Sequence, residues 1–369
     1  MITKLNLNHH FKPKSGWMND PNGLVYFQGY YHAFYQCAPH YEQPWKEPMY
    51  WGHARTKDFI TWEELPLALC PDQPYDNDGC WSGTAIVKDE VLYLFYASVL
   101  YDKERKCYDP QTVSVARSTD GIHFEKCTEN PVISTYPSEG NHEFRDPAVM
   151  YSNGQYYLVM ATGHDETQSG RLLLYASQDL IHWTFHDVMC QWPDARFCEC
   201  PSFMKYEDHY LLTTSVVQKN GKDFFSIMYG DFDGHNFHMQ TSADILHGPD
   251  QYAGQLFVDP FGRHILLSWI SGWSYSEFAE KSLGCLSLPI EITVKNGKIY
   301  GYPVKEVQHL LKDSDPAVKL TEDGFVVERT LRKPVVHRGE IHSLKILRDE
   351  YVLEIFINGG EHIYMIILC

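Results

Sequence analysis

Basic side chains are scarce in this chain. Lys and Arg total 31 against 48 Asp and Glu, a formal charge of −17 over 369 residues. Such a surface repels phosphate backbones, which excludes nucleic acid as a partner. Long apolar runs are also missing. No segment reaches the roughly 18 consecutive apolar residues of a membrane-spanning helix, and the opening MITKLNLNHHFKPKSGWMND lacks the apolar centre of a secretory signal. A soluble, cytoplasmic chain with no membrane partner is the expectation. Zinc-type spacing is absent too: the ten Cys are scattered, Cys198 and Cys200 flank one residue, and no nearby His completes a set with Cys190. We therefore expect no metal and no cofactor, and reduced, mostly buried thiols.

Helical periodicity is nearly missing through residue 300. What is plentiful is aromatic: Phe, Trp and Tyr make up 14% of the chain, and Tyr alone occurs 25 times. Such rings pack β-rich cores and line sugar-binding clefts. The tyrosines fall in a recurring strand pattern: Gly29–Tyr35, Glu90–Tyr96, Gly154–Met160, Asp208–Thr214 and Gly262–Ser268. After each of the first four copies comes an Asp followed four residues later by Trp or Phe, at Asp58, Asp120, Asp179 and Asp233. Five units of about 55–65 residues, each with room for four short strands, predict an all-β fold, a five-bladed β-propeller over residues 1–302.

Around residue 303 the pattern changes. Val304, Val307, Leu310 and Leu311 share one helical face, which predicts a helical linker over 303–316 closed by Asp313-Ser-Asp-Pro316. Residues 317–369 return to strands, with Asn358-Gly359-Gly360 joining two of them in a hairpin. So short a β module must lean on the propeller. The apolar end, Ile366-Ile367-Leu368-Cys369, would invite aggregation if it were uncovered.

Three acidic residues occupy unusual surroundings at the onset of separate repeats. Asp20 lies in Trp17-Met-Asn-Asp-Pro-Asn-Gly23, Asp146 in Phe144-Arg-Asp-Pro147 and Glu199 in Cys198-Glu-Cys-Pro201. Equivalent positions of different blades converge on a propeller's axis, so the three carboxylates are expected to face one pocket. Retaining glycoside hydrolysis needs a carboxylate nucleophile and a carboxylic acid/base about 5–5.5 Å apart. Glu199 between two Cys suits the acid, whose pKa must be raised. Asp20 suits the nucleophile, with Asn19, Asn22 and Gly23 as donors to its anionic form.

At these residues the chain resembles glycoside hydrolase family 32, the invertases, sucrose-6-phosphate hydrolases and fructan hydrolases. The heptapeptide Trp17–Gly23, Arg145-Asp-Pro147 and Glu199-Cys200 carry the likeness, with Gln36, Trp51-Gly-His-Ala54, Asp58–Trp62 and Trp81-Ser-Gly-Thr84 in support. Gly284–Pro289 and Val352–Asn358 match in kind. The resemblance implies a five-bladed propeller followed by a β-sandwich. It makes Asp20 the nucleophile, Glu199 the acid/base, and Asp146 a fructose-binding stabiliser of the transition state. Arg145 lies beside Asp146, and Asn19, Gln36, Trp81 and Ser82 would line the fructose subsite. Two departures stand out. The C-terminal sandwich is far shorter than the family norm, as either a reduced module or an incomplete chain would be, and the family's Pro-Arg-Glu-Leu becomes Pro289-Ile-Glu-Ile292, which bears on packing where the blades close.

The expected function is that of a retaining β-fructofuranosidase acting on a small carbohydrate: sucrose, its 6-phosphate or short fructo-oligosaccharides. Lys46, Arg55, Arg105 and Lys106 are the candidates for holding a phosphate. A fructosyltransferase on the same scaffold and a non-catalytic carbohydrate-binding protein stay open as alternatives, as does homo-oligomerisation.

Overall fold

The computed structural model describes residues 6–270 and 282–368. It is all-β, and among these residues the helical content is one short 3-10 turn, Gln308–Leu310. Five antiparallel sheets follow one another along the chain, each with a path of four hydrogen-bonded strands. Their first strands are Trp17–Phe27, Gly79–Lys88, Arg145–Ser152, Ala195–Tyr206 and Gln251–Val258. Each of these inner strands touches the next, and the last touches the first. Together they line an apolar cavity of about 360 Å³ with residues from the C-terminal halves of all five.

Both sequence repeats have a structural counterpart. The Tyr-rich segments become the second strands, Tyr30–Ala38, Val91–Val99, Gln155–His164, His209–Gln218 and His264–Ile270. Most of their residues are buried, because these strands are covered on both faces by neighbouring sheets. The aspartates make the turn into the fourth strand. Oδ1 of Asp58 accepts the backbone N–H groups of Ile60 and Thr61, and Asp120, Asp179 and Asp233 repeat the arrangement two and three residues on. A short acceptor at that position closes the turn locally, which is why Asp recurs.

The helix expected after residue 303 is not formed. Pro303 ends the strand Lys298–Pro303, and Val307 and Leu310 then donate to carbonyls three residues back, Val304 and Val307. Val304, Val307 and Leu310 are spaced by three, so a 3-10 turn presents them on one side as well as an α-helix would. Lys312 is bound in both directions to the backbone of Ile346, so this segment is fastened to the C-terminal sheet. Ile290 and Ile292, in the departed Pro-Ile-Glu-Ile segment, are buried in the main core.

The C-terminal residues form two layers. Val318–Thr321, Gly324–Val327 and Val335–Arg338 make one sheet, and Leu344–Asp349, Val352–Ile357 and His362–Ile367 the other. The second sheet is buried on both faces. Ile355, Ile357 and Ile366 pack against Phe325 and Val327, while Phe356, Ile363 and Ile367 join the core of the preceding sheets. The apolar end strand is not left uncovered: Leu246–His247 pairs with it in parallel. Cys369 itself lies outside the described residues.

A buried ionic cluster fixes this module to the start of the chain. Asp349 accepts the backbone N–H groups of Asn8, His9 and His10, and the His10 ring lies 2.9 Å from Asp349 Oδ2 and 2.7 Å from Glu354 Oε1. Burial works against the imidazolium, but the hydrogen bonds and charges of Asp349 and Glu354 outweigh it and raise its pKa to about 9. A group raised on folding stabilises fully below its unfolded pKa, near 6.5, and loses that contribution as pH climbs through 9. His10→Ala leaves two buried carboxylates without their cation, a loss of about 3–5 kcal/mol. Thermal melts at pH 7 should show a clear drop in Tm, and the gap to wild type should narrow by pH 10. A gap unchanged across that range would mean the imidazolium carries no stabilising charge.

Candidate functional site

The site grows from an irregularity shared by the five inner strands. Each has an extra residue relative to its partner strand at a corresponding place, between Met18 and Pro21, Trp81 and Gly83, Arg145 and Ala148, Glu199 and Ser202, and Tyr252 and Gln255. Such bulges re-aim side chains and are common beside active sites. Here the extra residues include Asp20, Ser82, Asp146, Cys200 and Ala253. The residue after each is Pro21, Gly83, Pro147, Pro201 or Gly254. Proline has no N–H to leave unpaired in a broken ladder, and at Gly83 a Cβ would sit 1.9 Å from the carbonyl oxygen of Phe95. Asp146, Cys200 and Ala253 adopt left-handed backbone, with φ of +60°, +47° and +52°. For residues with a side chain this costs of order 1–3 kcal/mol each, a strain typical of functional positions.

These bulges bring the three predicted carboxylates into one cluster. Asp20 Oδ2 accepts the Ser82 hydroxyl at 2.8 Å and faces the Cys200 thiol at 3.7 Å. Asp146 Oδ2 accepts the Cys200 backbone N–H at 2.8 Å and lies 3.5 Å from the same thiol. Glu199, the chain neighbour of Cys200, accepts from Arg145 Nε at 3.1 Å and Nη2 at 2.9 Å through Oε1. Its Oε2 accepts the Tyr252 hydroxyl. Arg145 also donates to Glu143 at 2.5 Å.

The electrostatics follow from this packing. Burial, with the charge of Glu199 added, raises the Asp20 pKa above its ordinary value, and the Ser82 bond opposes this only in part. Burial also drives Asp146 well up. Arg145 pulls against the shift, and the charges of Glu199 and Asp20 reinforce it. Arg145 resists its own burial penalty because Glu199, Glu143 and Asp146 surround it, so it stays charged. Burial pushes the Cys200 thiol far up, which leaves a neutral S–H between two carboxylates. Of the donors expected around Asp20, the Asn19 side chain bonds to it, whereas Asn22 and Gly23 do not, and a hydroxyl and a thiol from other strands face it as well.

The remaining sequence candidates frame the cluster. The Trp17 indole N–H donates to Asn19 Oδ1 at 2.8 Å, and Gln36 Nε2 donates to the Cys80 carbonyl at 2.8 Å, joining the first sheet to the second. Trp81 precedes Ser82, and its ring packs between Trp45 and Tyr108, at 5.5 and 5.0 Å. Of the basic candidates, Arg55 is paired with Glu63 at 2.7 Å and covers the Tyr30 ring, and Arg105 is paired with Asp102 and Asp109. Lys46 and Lys106 are exposed. Sequence reasoning missed Tyr252. The signal was available, since Tyr252-Ala-Gly254 is the fifth copy of the bulge seen at Arg145-Asp-Pro147 and Glu199-Cys-Pro201. Among the described residues no group of His, Cys, Asp and Glu is arranged to hold a metal ion, and no helix is long and apolar enough to cross a membrane.

Asp20, Asp146 and Glu199 thus meet on three inner strands, with Arg145 bound to Glu199, and glycoside hydrolysis calls for paired carboxyl groups. Residues 10–303 match the glycosyl hydrolases family 32 N-terminal domain, and the chain belongs to that family. It is 34% identical over 322 residues to a raffinose invertase of Escherichia coli, covering 83% of this chain and 66% of that protein. It is also 34% identical over 327 residues to a sucrose-6-phosphate hydrolase of Zymomonas mobilis, covering 83% of this chain and 63% of that protein. The chain thus spans less than two thirds of the length of both relatives. Among solved structures, a beta-fructofuranosidase of Bombyx mori superposes with a TM-score of 0.84 at 25% identity, over 99% of this chain and 89% of that one.

Proposed function

We propose that this protein is a retaining β-fructofuranosidase that hydrolyses the fructosyl bond of sucrose, sucrose 6-phosphate or short fructo-oligosaccharides. The five sheets are then the blades of a five-bladed propeller over residues 1–302, with 303–316 as a connector and 317–369 as a short β-sandwich-like module. The observation that carries the reading is the meeting of Asp20, Asp146 and Glu199, from three separate inner strands, around Cys200 and Arg145.

In this reading Asp20 attacks the anomeric carbon of the fructosyl unit. Glu199 delivers its proton to the departing oxygen, and Arg145 and Tyr252 fix the orientation of its carboxyl group. Glu199 then takes a proton from water, whose oxygen attacks the fructosyl–Asp20 ester, so fructose leaves and both groups are restored. Ser82 and Cys200 steady the Asp20 carboxylate before attack and after release. Asp146, held by the Cys200 N–H, binds fructose hydroxyls as charge develops on the ring. Asn19, Gln36 and Trp81 shape the wall of the subsite. The presence of all three carboxylates, with two of them on strained backbone segments, favours catalysis over a binding-only role.

Incubation with sucrose, sucrose 6-phosphate, kestose, inulin and levan, followed by chromatography of the products, tests the reading. Free fructose from at least one small substrate is expected. Transfer products without net fructose release would replace the hydrolase by a fructosyltransferase, and no product from any member would overturn both.

A further inference from the structure

The β-fructofuranosidase reading uses Trp81 only as part of a wall, yet Trp81 packs against a row of exposed rings. Tyr108 packs against Trp81 at 5.0 Å, and Tyr101 packs against Tyr108 at 5.1 Å, both edge to face. Tyr101 and Tyr108 are 37% and 40% exposed, and Trp45 on the other side of Trp81 is 49% exposed. In an edge-to-face pair the edge-on ring keeps both its faces clear of its partner. Aromatic surface that is contiguous in this way, unlike single exposed apolar side chains, marks a binding site.

The two tyrosines sit on a small hairpin built to hold them still. Tyr101-Asp102 pairs with Cys107-Tyr108. Asp102 Oδ1 accepts the backbone N–H groups of Glu104 and Arg105 in the turn, while the Arg105 guanidinium bridges Asp102 and Asp109. The base of the hairpin is tied to the segment carrying Trp81: the Tyr101 N–H donates to Asp78 Oδ2 at 2.8 Å, and the Asp78 N–H donates to the Val99 carbonyl at 3.1 Å. Arg105 is thereby committed to the hairpin rather than to a phosphate. A rigid platform costs little entropy to occupy.

We infer that the Tyr101–Tyr108 hairpin is a carbohydrate platform for sugar units beyond the scissile bond, so that the preferred substrate is a fructosyl oligosaccharide of three or more units. This rests on the reading of Asp20 as the residue that meets the fructosyl unit. The row starts at the residue next to Ser82, which touches Asp20, and its ring spacing is comparable to the width of one sugar. A disaccharide has a single unit beyond the fructosyl group and reaches Trp81. A third or fourth unit reaches the tyrosines.

The test is binding to an Asp20→Ala background, followed by tryptophan fluorescence, with sucrose, 1-kestose and nystose as probes. The parent should bind nystose more tightly than sucrose, and adding Tyr101→Ala and Tyr108→Ala should remove about tenfold of affinity for nystose with less than a twofold change for sucrose. Tyr→Phe replacements at both positions keep the rings and should keep most of the preference. A parent with no preference for the longer sugar overturns the inference, as does an equal loss for sucrose and nystose. Failure of the underlying reading shows separately, as wild-type protein that cleaves no fructoside.

Discussion

Asp20→Ala is expected to abolish cleavage of both sucrose and an activated aryl fructoside, by at least about 10⁴-fold, because in the proposed mechanism Asp20 forms the fructosyl ester. Mass spectrometry of the variant after incubation with the activated substrate should find no covalent adduct. The same substitution should not harm the fold. Asp20 is raised above its ordinary pKa by burial and by the charge of Glu199, and its bonding partners are a hydroxyl, a side-chain amide and a thiol rather than a cation. Removing it relieves repulsion within the carboxylate cluster, so the Tm should stay level or rise. Activity lost together with a large fall in Tm would point to a structural role. Activity retained on the aryl fructoside would assign the nucleophile elsewhere.

Much of the fold was legible because its repeats have local causes. The Tyr-rich segments had to be strands, since alternating aromatic and β-branched residues bounded by turn residues fit little else. The Asp that precedes each aromatic closes a turn by accepting, through its side chain, backbone N–H groups two and three residues on, so it recurs wherever that turn recurs. The helix after Pro303 was misread because a spacing of three followed by four suits α-helix and 3-10 turn alike, and only the strand ending at Pro303 decided between them. Contacts distant in sequence left no trace at all. Nothing local to His10 says that Asp349 and Glu354 enclose it, some 340 residues away.

The site was legible in part, for a related reason. Asp20, Asp146 and Glu199 were recognisable by their neighbours, but their register was not. Asp20 and Asp146 lie within bulges, whereas Glu199 lies one residue ahead of its bulge, in the position that Arg145 and Tyr252 hold in their own strands. The bulge moves that preceding position toward its neighbours, and Arg145, Glu199 and Tyr252 consequently meet side by side. The Arg-Asp-Pro and Glu-Cys-Pro segments are thus two copies of one structural device carrying different chemistry. Asp20 and Asp146 are both raised above their ordinary pKa, chiefly by burial. Only the packing decides that.

The remaining large effect separates Glu199 from Asp20 by the leaving group. Glu199→Ala should slow sucrose cleavage by about 10²–10⁴-fold, the range for loss of a general acid. An aryl fructoside with a nitrophenol departs without needing that proton, so the variant should still form the fructosyl–Asp20 ester at a substantial rate. Hydrolysis of the ester would then be slow, since in the proposed mechanism Glu199 is also the base that activates water, and a burst of nitrophenol should precede a slow steady state. The adduct should accumulate on the peptide containing Asp20. Truncating Glu199 also frees Arg145 and Tyr252, so Glu199→Gln, which keeps an acceptor for both, controls for disorder of the site. Both variants should show the same contrast between substrates. If they lose sucrose and the aryl fructoside equally, Glu199 positions Arg145 rather than transferring protons, and the acid/base must be sought in Asp146.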